Sequence, residues 1–314
     1  MKKLVVFSFS LFSITMTSAQ DAHFSQYLNS KTYTNPAFVG TDSTMNVALN
    51  YRVQWPKTSS YKSSIFSVDK YIRALRGGIG LNYVNDRQLN DAYIKARIEF
   101  NYAPHFELFN HKLVLQPGIQ ISYFQNTIDF SKLTFSDMID ARRGFVYNTN
   151  EVYGASTKSG IDVSAGLLVY TDRYFGGVAF HHITEPNEGV VGPSKLPMKI
   201  SAHVGANLLC GNANSKNTTI SPTLLYMRQQ DFQMFLPGLT AKYKFISLGV
   251  SYRNEDAFIG TLAFQNRFLR VGYSYDYTTS KLGNDNTGGS HEIGLTWFVN
   301  FKKKRGAIKT LRLI

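Results

Sequence analysis

Few residues in this sequence stand at the spacings that enzyme chemistry requires. There is no Gly-x-Ser-x-Gly nucleophile turn, no His-Glu-x-x-His zinc motif, no glycine-rich phosphate loop and only one cysteine, Cys210. The pair His181-His182 could ligate a metal or contact Glu185, but adjacent residues of a strand point to opposite faces, so we do not expect a shared site. The sequence therefore predicts a protein that is not an enzyme and that holds no metal or cofactor.

A polar pair of a different kind precedes Trp55. Arg52 and Gln54 alternate with apolar neighbours, so in a strand they would share one polar face. Inside a closed sheet, Arg52 could pair with an inward acid such as Glu99 or Glu292. We expect a structural ion pair there rather than a catalytic group.

The C-terminus carries the densest charge. The net charge is +13, and six cations stand in the last 13 residues without one acid: Lys302, Lys303, Lys304, Arg305, Lys309 and Arg312. This clustering predicts a tail with contacts of its own or, as the simpler alternative, a solvated tail that meets anionic lipid head groups. Nucleic acid is not an expected partner, because the basic run has no interleaved aromatic residues.

The N-terminus has the pattern of an export signal. A basic start precedes an apolar run from Leu4 to Met16, and the small residues Thr17-Ser18-Ala19 follow. An uncleaved anchor is the alternative, but the apolar run is shorter than the roughly 20 residues that span a bilayer. We therefore expect a cleaved signal peptide that ends at Ala19.

Alternation of apolar and polar residues dominates the rest of the chain. Aromatic residues make up 14% of the sequence, yet mean hydropathy is slightly negative. Strands with one apolar and one polar face, rich in Tyr and Phe, are typical of a transmembrane barrel, whose outer face meets lipid. A soluble β-sandwich is the alternative. In residues 93–102, the apolar face comprises Ile94, Ala96, Ile98, Phe100 and Tyr102.

Counting these segments predicts an all-β fold, an antiparallel outer-membrane β-barrel of about 14 strands. An even number brings both chain ends to the periplasmic side. The longest connections, residues 124–159, 182–197 and 278–289, all follow odd-numbered strands, so we expect them outside the cell. The predicted strands are 44–53, 62–71, 77–85, 92–102, 112–123, 160–170, 174–181, 198–209, 218–228, 231–243, 245–252, 257–264, 268–277 and 290–301.

The predicted organisation has four parts. Residues 1–19 are the signal peptide, 20–43 a periplasmic N-terminal segment, 44–301 the transmembrane barrel and 302–314 a basic periplasmic tail. The expected location is the outer membrane.

Several short motifs are not demanded by strand packing. The motifs are Phe24-Ser25-Gln26-Tyr27, Asn35-Pro36-Ala37-Phe38-Val39-Gly40, Asn50-Tyr51-Arg52-Val53-Gln54-Trp55-Pro56, Gly77-Gly78-Ile79-Gly80-Leu81, residues 176–187 and Ser290-His291-Glu292-Ile293-Gly294-Leu295. In the order and spacing of these motifs, the chain resembles the PorP/SprF family of type IX secretion system membrane proteins of Bacteroidota, over essentially the whole mature length.

The resemblance implies a barrel that serves type IX secretion or gliding by docking, exporting or anchoring secreted proteins at the cell surface. Its implied partners are outer-membrane lipid, other type IX secretion or motility proteins and the C-terminal domain of a secreted adhesin. An outer-membrane diffusion channel or hydrophobic-substrate transporter is the alternative. The tail departs from the family, whose members often end in a Cys-Pro-Arg-Phe-like sequence, whereas this chain ends in Thr310-Leu311-Arg312-Leu313-Ile314.

The candidate contact residues come from these motifs and from the tail. Asn35-Pro36 favours a turn that bends the N-terminal segment into or under the barrel, as a plug, as a partner contact or as simple turn chemistry. Thr184–Asn187 either locks the barrel mouth or docks a partner. The candidates are Phe24, Gln26, Tyr27, Asn35, Pro36, Arg52, Gln54, Trp55, His182, Glu185, Pro186, Asn187, His291, Glu292, Lys302, Lys303, Lys304 and Arg305.

Overall fold

Fourteen long strands form the wall of the molecule in a computed structural model of the chain. The model describes residues 21–299 apart from 43, 59–60, 141, 151–155, 211–217 and 282, and it also describes Leu311. The strands are β1 (Met45–Gln54), β2 (Tyr61–Ile72), β3 (Gly77–Gln88), β4 (Tyr93–Pro104), β5 (Leu113–Ile128), β6 (Thr157–Tyr170), β7 (Tyr174–His181), β8 (Lys199–Ala206), β9 (Thr218–Gln229), β10 (Phe232–Tyr243), β11 (Ile246–Arg253), β12 (Ala257–Gln265), β13 (Leu269–Thr278) and β14 (Ser290–Val299).

The strands close into one antiparallel barrel. Each strand pairs with the next along the chain, and β1 pairs with β14 from Met45 opposite Val299 to Gln54 opposite Ser290. The prediction of an antiparallel barrel of about 14 strands is confirmed. Because a closed sheet has no free edge, every strand of the wall has a hydrogen-bonded neighbour on both sides, as a lipid environment requires.

Short elements complete the described chain. Phe106–Leu108 pairs with β5, Leu208–Cys210 pairs with β9, and Ile139–Asp140 pairs with Gly144–Phe145 in a small separate hairpin. Single helical turns lie at α1 (Lys31–Thr34) and α2 (Asn284–Thr287), and 3-10 turns at Pro36–Phe38, Arg73–Leu75, Phe130–Lys132 and Ser136–Met138. Among the described residues, no helix is long and apolar enough to cross a membrane.

The alternation along each strand separates an apolar outer face from a polar inner face. On β4, Ile98 and Phe100 are 49% and 51% exposed, whereas Glu99 and Asn101 are 2% and 0% exposed. Gln120, on the neighbouring β5, also faces inward. The face assignment expected from the sequence is therefore the one observed, with aliphatic and aromatic side chains directed at lipid.

The two ends of the barrel differ in their connections. Residues 129–156, 182–198 and 279–289 all leave the wall at one end, which we call the long-loop end. The opposite end carries tight turns such as 171–173, 244–245 and 266–268, and we call it the short-turn end. This asymmetry is typical of bacterial outer-membrane barrels.

Residues 21–42, which we call the inner segment, run through the barrel interior. Near the long-loop end, Asp21 accepts a hydrogen bond from Lys199, and near the short-turn end Asp42 accepts one from Asn46. Phe38 is fully buried between these points. We expected a periplasmic segment, but residues 21–42 lie inside the barrel. Their polar side chains form hydrogen bonds with polar residues of the wall, which allows the segment to be buried there.

Three small cavities lined by described residues lie between the inner segment and the wall. They measure about 40, 20 and 30 Å³. A cavity needs roughly 10–15 Å³ to hold one water molecule, so each has room for only a few. None of these three cavities is by itself large enough to pass a solute.

Candidate functional site

The first group of buried charges, which we call the inner charge cluster, joins four strands of the wall. Arg52 Nη2 lies 2.8 Å from Asp276 Oδ2, and Arg52 Nη1 lies 3.4 Å from Glu292 Oε2. Arg253 Nη1 lies 3.1 Å from Asp276 Oδ2. The four residues project inward from β1, β13, β14 and β11, and none is more than 3% exposed. Only closure of the barrel brings them together.

Ser25 of the inner segment lies at the centre of this cluster. Its Oγ donates to Asp276 at 2.7 Å and accepts from Arg52 at 2.7 Å and from Arg253 at 2.8 Å. Hydrogen bonds to charged groups are stronger than neutral ones, and buried charges require such partners. The cluster therefore holds the inner segment at Ser25.

Glu292 fixes the backbone at the same point. The N–H groups of Ser25 and Gln26 donate to its two carboxylate oxygens at 2.7 and 3.0 Å. Of the two acids that we predicted for Arg52, Glu292 is correct and Glu99 is wrong, because Glu99 points inward from β4, on another part of the wall. The N-terminal motif and the motif of β14 are thus two halves of one contact.

A second group, which we call the mouth cluster, lies near the long-loop end. His182 Nδ1 donates to Asp162 Oδ2 at 2.6 Å, and His182 Nε2 donates to Asp21 Oδ2 at 2.7 Å. Lys199 Nζ donates to the same Asp21 oxygen at 2.6 Å. The cluster comprises Asp21, Arg97, Asp162, His182, Glu188 and Lys199.

The mouth cluster also ties loop 182–198 to the wall. Arg97 of β4 lies 2.7 Å from Glu188 and 3.4 Å from Asp162. Thr184 Oγ1 donates to Asp162 at 2.8 Å. The inner segment, the wall and the loop therefore meet in one network of charges.

The protonation of His182 follows from these contacts. Burial by itself would lower its pKa, but the negative charge of Asp21 and the hydrogen bonds to Asp162 and Asp21 outweigh burial, so the pKa of His182 is raised. Burial likewise would raise the pKa of Asp21, but the charges of His182 and Lys199 hold it well below its usual range. His182 and Asp21 therefore form a buried ion pair when His182 is protonated.

The expectation that His181 and His182 face opposite sides is wrong. Strand β7 ends at His181, and His182 adopts a left-handed φ of 58°, so strand alternation no longer applies. Both side chains are buried, with ring centroids 6.2 Å apart. The His182 ring bonds to Asp21 and Asp162, whereas its contact with Glu185 is between backbone groups: the Glu185 N–H donates to the His182 carbonyl at 3.0 Å. Within the described residues, no group of three or more His, Cys, Asp or Glu could hold a metal ion.

Asn35 and Pro36 anchor the middle of the inner segment. The Asn35 Oδ1 accepts from Ala37 N–H at 2.8 Å and caps the 3-10 turn, in which Pro36 is the first residue. Asn35 Nδ2 donates to the carbonyls of Leu167 and Val178 on the wall. We predicted either a simple turn or a plug for this motif, and Asn35 does both: it caps the turn and holds the segment against the wall inside the barrel.

Two wall glycines admit this segment. A Cβ at Gly166 would overlap the Asn35 carboxamide, and a Cβ at Gly78 would overlap the backbone of Val39. Gly78 belongs to the glycine-rich motif of β3. That motif is explained by the close approach of two backbones rather than by the sheet itself.

Phe24 and Tyr27 are apolar anchors of the inner segment. Phe24 packs with Ile65 and Val84, and Tyr27 with a cluster that includes Leu225. Both aromatic rings are nearly fully buried.

Gln54, Trp55 and His291 lie at the long-loop end but do not join either cluster. Gln54 ends β1, and the Trp55 N–H donates to the Gly289 carbonyl at 3.0 Å. His291 faces outward on β14, where its Nδ1 lies 2.8 Å from the Tyr273 hydroxyl. Their contacts are structural in the described chain.

The Thr-Glu-Pro-Asn motif forms a local turn. Glu185 is exposed, the Pro186 carbonyl accepts from Leu196 N–H at 2.9 Å, and Asn187 Oδ1 accepts from Ser194 N–H at 2.8 Å. These local contacts fit the interpretation that the motif locks the barrel mouth. The candidates Lys302, Lys303, Lys304 and Arg305 lie outside the described residues.

Sequence reasoning missed most of the mouth cluster. Asp162 and Lys199 stand at inward positions of β6 and β8, and Asp276 at an inward position of β13. A charge at an inward position is an available signal in an alternating strand, because a buried charge needs a partner. Its partner could not be read from sequence, since pairs such as Ser25 and Asp276 lie 251 residues apart.

The closed wall, the lipid-facing apolar surface and the polar interior define the class of this protein, an outer-membrane β-barrel. The family model of the type IX secretion system membrane protein PorP/SprF matches residues 16–297, and the chain belongs to this family. The protein is therefore an outer-membrane component of the type IX secretion and gliding machinery of Bacteroidota.

Other outer-membrane barrels are similar in fold at low identity. The P. putida toluene transporter TodX is 10% identical with a TM-score of 0.47, over 86% of this chain and 93% of TodX. The CymD monoaromatic hydrocarbon channel is 13% identical with a TM-score of 0.43, over 88% and 94% of the two chains. The KdgM porin is 8% identical with a TM-score of 0.38, over 81% and 99%. No curated protein matches the sequence.

Proposed function

We propose that this protein is a docking barrel that holds a secreted protein, such as an adhesin C-terminal domain, at the cell surface. The observation that carries the proposal is the filled interior. The inner segment occupies the lumen from Asp21 to Asp42, and its ion pairs through Asp21 and its hydrogen bonds through Ser25 and Asp42 hold it there. A barrel in this state offers binding surfaces at its ends rather than a path through its centre.

The long-loop end is the proposed docking face. In loop 129–156, Phe145 and Tyr147 are 63% and 53% exposed, and in loop 182–198 Val191 is 78% exposed. Asp140 orders the hairpin by accepting the N–H groups of Arg142 and Arg143. Exposed aromatic side chains on an ordered loop are a common form of interaction surface.

Docking is tested by capture of the secreted partner. The purified barrel should co-purify with the adhesin C-terminal domain, and replacing Phe145 and Tyr147 together (Phe145→Ser, Tyr147→Ser) should reduce capture by about tenfold or more, because hot-spot aromatics typically contribute 2 kcal/mol or more. Phe109→Ser is the matched control, since Phe109 is 75% exposed at the short-turn end.

A channel makes the opposite predictions. It would conduct ions in planar bilayers as the intact chain and would not depend on Phe145 or Tyr147. Steady conductance without partner capture would contradict the docking proposal, and an equal loss of capture in Phe109→Ser would move the docking face away from the long-loop end.

A further inference from the structure

The inner wall has an apolar patch near the short-turn end, in addition to the apolar positions that pack against Phe24 and Tyr27. Val114 of β5, Leu168 and Tyr170 of β6 and Phe175 of β7 all point inward, and none is more than 3% exposed. Elsewhere the inward positions are mostly polar or charged, as in the two clusters. An apolar patch in a polar lumen is unfavourable in contact with water, so something must cover it.

Two side chains from opposite ends of the chain cover this patch. Phe38 of the inner segment packs edge-on against Phe175, with ring centroids 6.3 Å apart. Leu311, from the C-terminal tail, belongs to the same buried cluster and has no exposed surface. The Leu311 N–H donates to the Thr41 carbonyl at 3.1 Å. Leu311 is thus bound both to the wall patch and to the inner segment.

This contact changes the expectation for the tail. We predicted residues 302–314 to be a periplasmic contact element or a solvated end. Residues 302–310 and 312–314 lie outside the described residues, but Leu311 is enclosed by the barrel. An apolar side chain among cations can leave water when an apolar pocket receives it.

We propose that this pocket is a binding site for an aliphatic side chain of an extended peptide, and that Leu311 occupies it as a latch that holds the inner segment in the lumen. An apolar pocket with one backbone acceptor beside it is the recognition chemistry of an extended chain, in which a side chain gives specificity and the N–H gives register. The leucine pocket comprises Ala37, Phe38, Val114, Leu168, Tyr170 and Phe175.

The latch acts on the part of the inner segment that the charge clusters do not reach. The inner charge cluster holds Ser25 and the mouth cluster holds Asp21, both toward the long-loop end. At the other end, Phe38 and Thr41 both contact the site of Leu311. Removing Leu311 uncovers Phe38 and leaves the Thr41 carbonyl without this donor. The inner segment stays attached to β1 at this end, so we expect looser packing and more frequent local opening of the segment rather than its release. The proposal is independent of which protein the barrel docks.

Seating of the tail is tested by thiol labelling of the full chain. In a Cys210→Ser background, Leu311→Cys should react with a water-soluble maleimide at least about tenfold more slowly than Leu89→Cys, because local burial slows access in proportion to the opening equilibrium. Leu89 is 53% exposed in a turn of the long-loop end. Equal labelling rates of the two cysteines would overturn the proposal, provided that both variants are folded, as shown by an electrophoretic mobility that changes on heating.

The latch itself is tested with a reporter in the inner segment. Ser30 is 1% exposed and its Oγ has no hydrogen-bond partner among the described atoms, so Ser30→Cys is a mild reporter. Leu311→Asp should accelerate maleimide labelling at position 30 by about tenfold or more. Leu311→Met, which keeps an aliphatic side chain, and Leu89→Asp should not. No acceleration in Leu311→Asp, or equal acceleration in Leu311→Met, would overturn the latch.

The pocket as a peptide site is tested in trans. A synthetic peptide with the sequence of residues 306–314, Gly-Ala-Ile-Lys-Thr-Leu-Arg-Leu-Ile, added to the Leu311→Asp variant should slow labelling at position 30 again. The same peptide with its first leucine replaced by Asp is the control. Slowing by both peptides, or by neither, would contradict recognition of an aliphatic side chain.

Discussion

At the scale of single residues, Arg52 is among the most costly side chains that this barrel buries, because its guanidinium loses its hydration. Asp276 and Glu292 compensate that loss. Breaking such a group by removing one partner typically costs about 3–5 kcal/mol, whereas an apolar replacement of the whole group is often neutral. An apolar replacement would not hold the backbone of Ser25. We infer that these charges determine where the inner segment lies more than how stable the barrel is.

His182 makes the attachment of the inner segment at the mouth dependent on pH. Because its folded pKa is raised, its stabilising contribution is complete below the unfolded value of about 6.5 and is lost as the pH rises through the folded value. We expect thermal stability to fall as the pH rises above about 6.5, by at most about 1.4 kcal/mol per pH unit from this one group. The measurement, at each pH, is the temperature at which heating changes the electrophoretic mobility of the barrel from that of the folded to that of the unfolded form.

The control separates His182 from other titrating groups. His182→Gln should flatten this fall, whereas His111→Gln, at a side chain that is 77% exposed, should leave it unchanged. Asp21 has a lowered pKa, so its contribution is present above the unfolded value of about 3.9 and does not change in this window. An unchanged slope in His182→Gln would contradict the assignment.

At the scale of elements, each strand must match the depth profile of the membrane. Ile98 faces lipid near the middle of β4, whereas Tyr174 faces lipid at the first residue of β7. We expect Ile98→Arg to destabilise the barrel by roughly 2–4 kcal/mol and Tyr174→Arg by roughly 0–1 kcal/mol, because the cost of a cation falls toward the interface. Reversible unfolding in lipid vesicles with urea measures both, and equal costs would contradict the membrane position of the strands.

Strand positions could be predicted from sequence because they depend on local alternation. The segment predicted at 92–102 is Tyr93–Pro104, and the one predicted at 112–123 is Leu113–Ile128. The second extends further because Phe124–Ile128 continue to pair with β6 and β4 where the apolar alternation has ended. Pairing needs only backbone groups, so it can outlast the side-chain pattern.

The inner segment could not be placed in the same way. Its contacts, such as Ser25 with Asp276 and Asn35 with Leu167, join positions that only the closed wall brings together. The motifs marked the right residues, because Asn35, Gln26 and Glu292 all serve this contact. The sequence could not distinguish a plug from a partner contact, since both use polar turn residues of the same kind.

At the scale of the whole molecule, the number of strands determines how much space the wall encloses. An eight-stranded barrel is nearly filled by its own side chains, and barrels of 16–18 strands leave an aqueous channel. A barrel of 14 strands lies closer to the second case. In the described part of the chain, the inner segment is the main element that occupies the lumen, and the inward wall residues alone would not fill it.

Deletion of the inner segment should convert the filled barrel into a conducting one. With residues 1–20 retained, deletion of residues 21–42 removes the inner segment from the lumen. Charged wall residues such as Arg52, Asp276 and Glu292 would then face water, which they tolerate better than an apolar interior. We expect low conductance of the intact protein in planar bilayers and stable ion conductance of the deletion variant. The Cys210→Ser variant, which leaves the inner segment intact, is the matched control and should remain closed. If the deletion variant keeps its heat-dependent mobility but does not conduct, another part of the chain closes the lumen, and the filled interior can no longer support docking over diffusion.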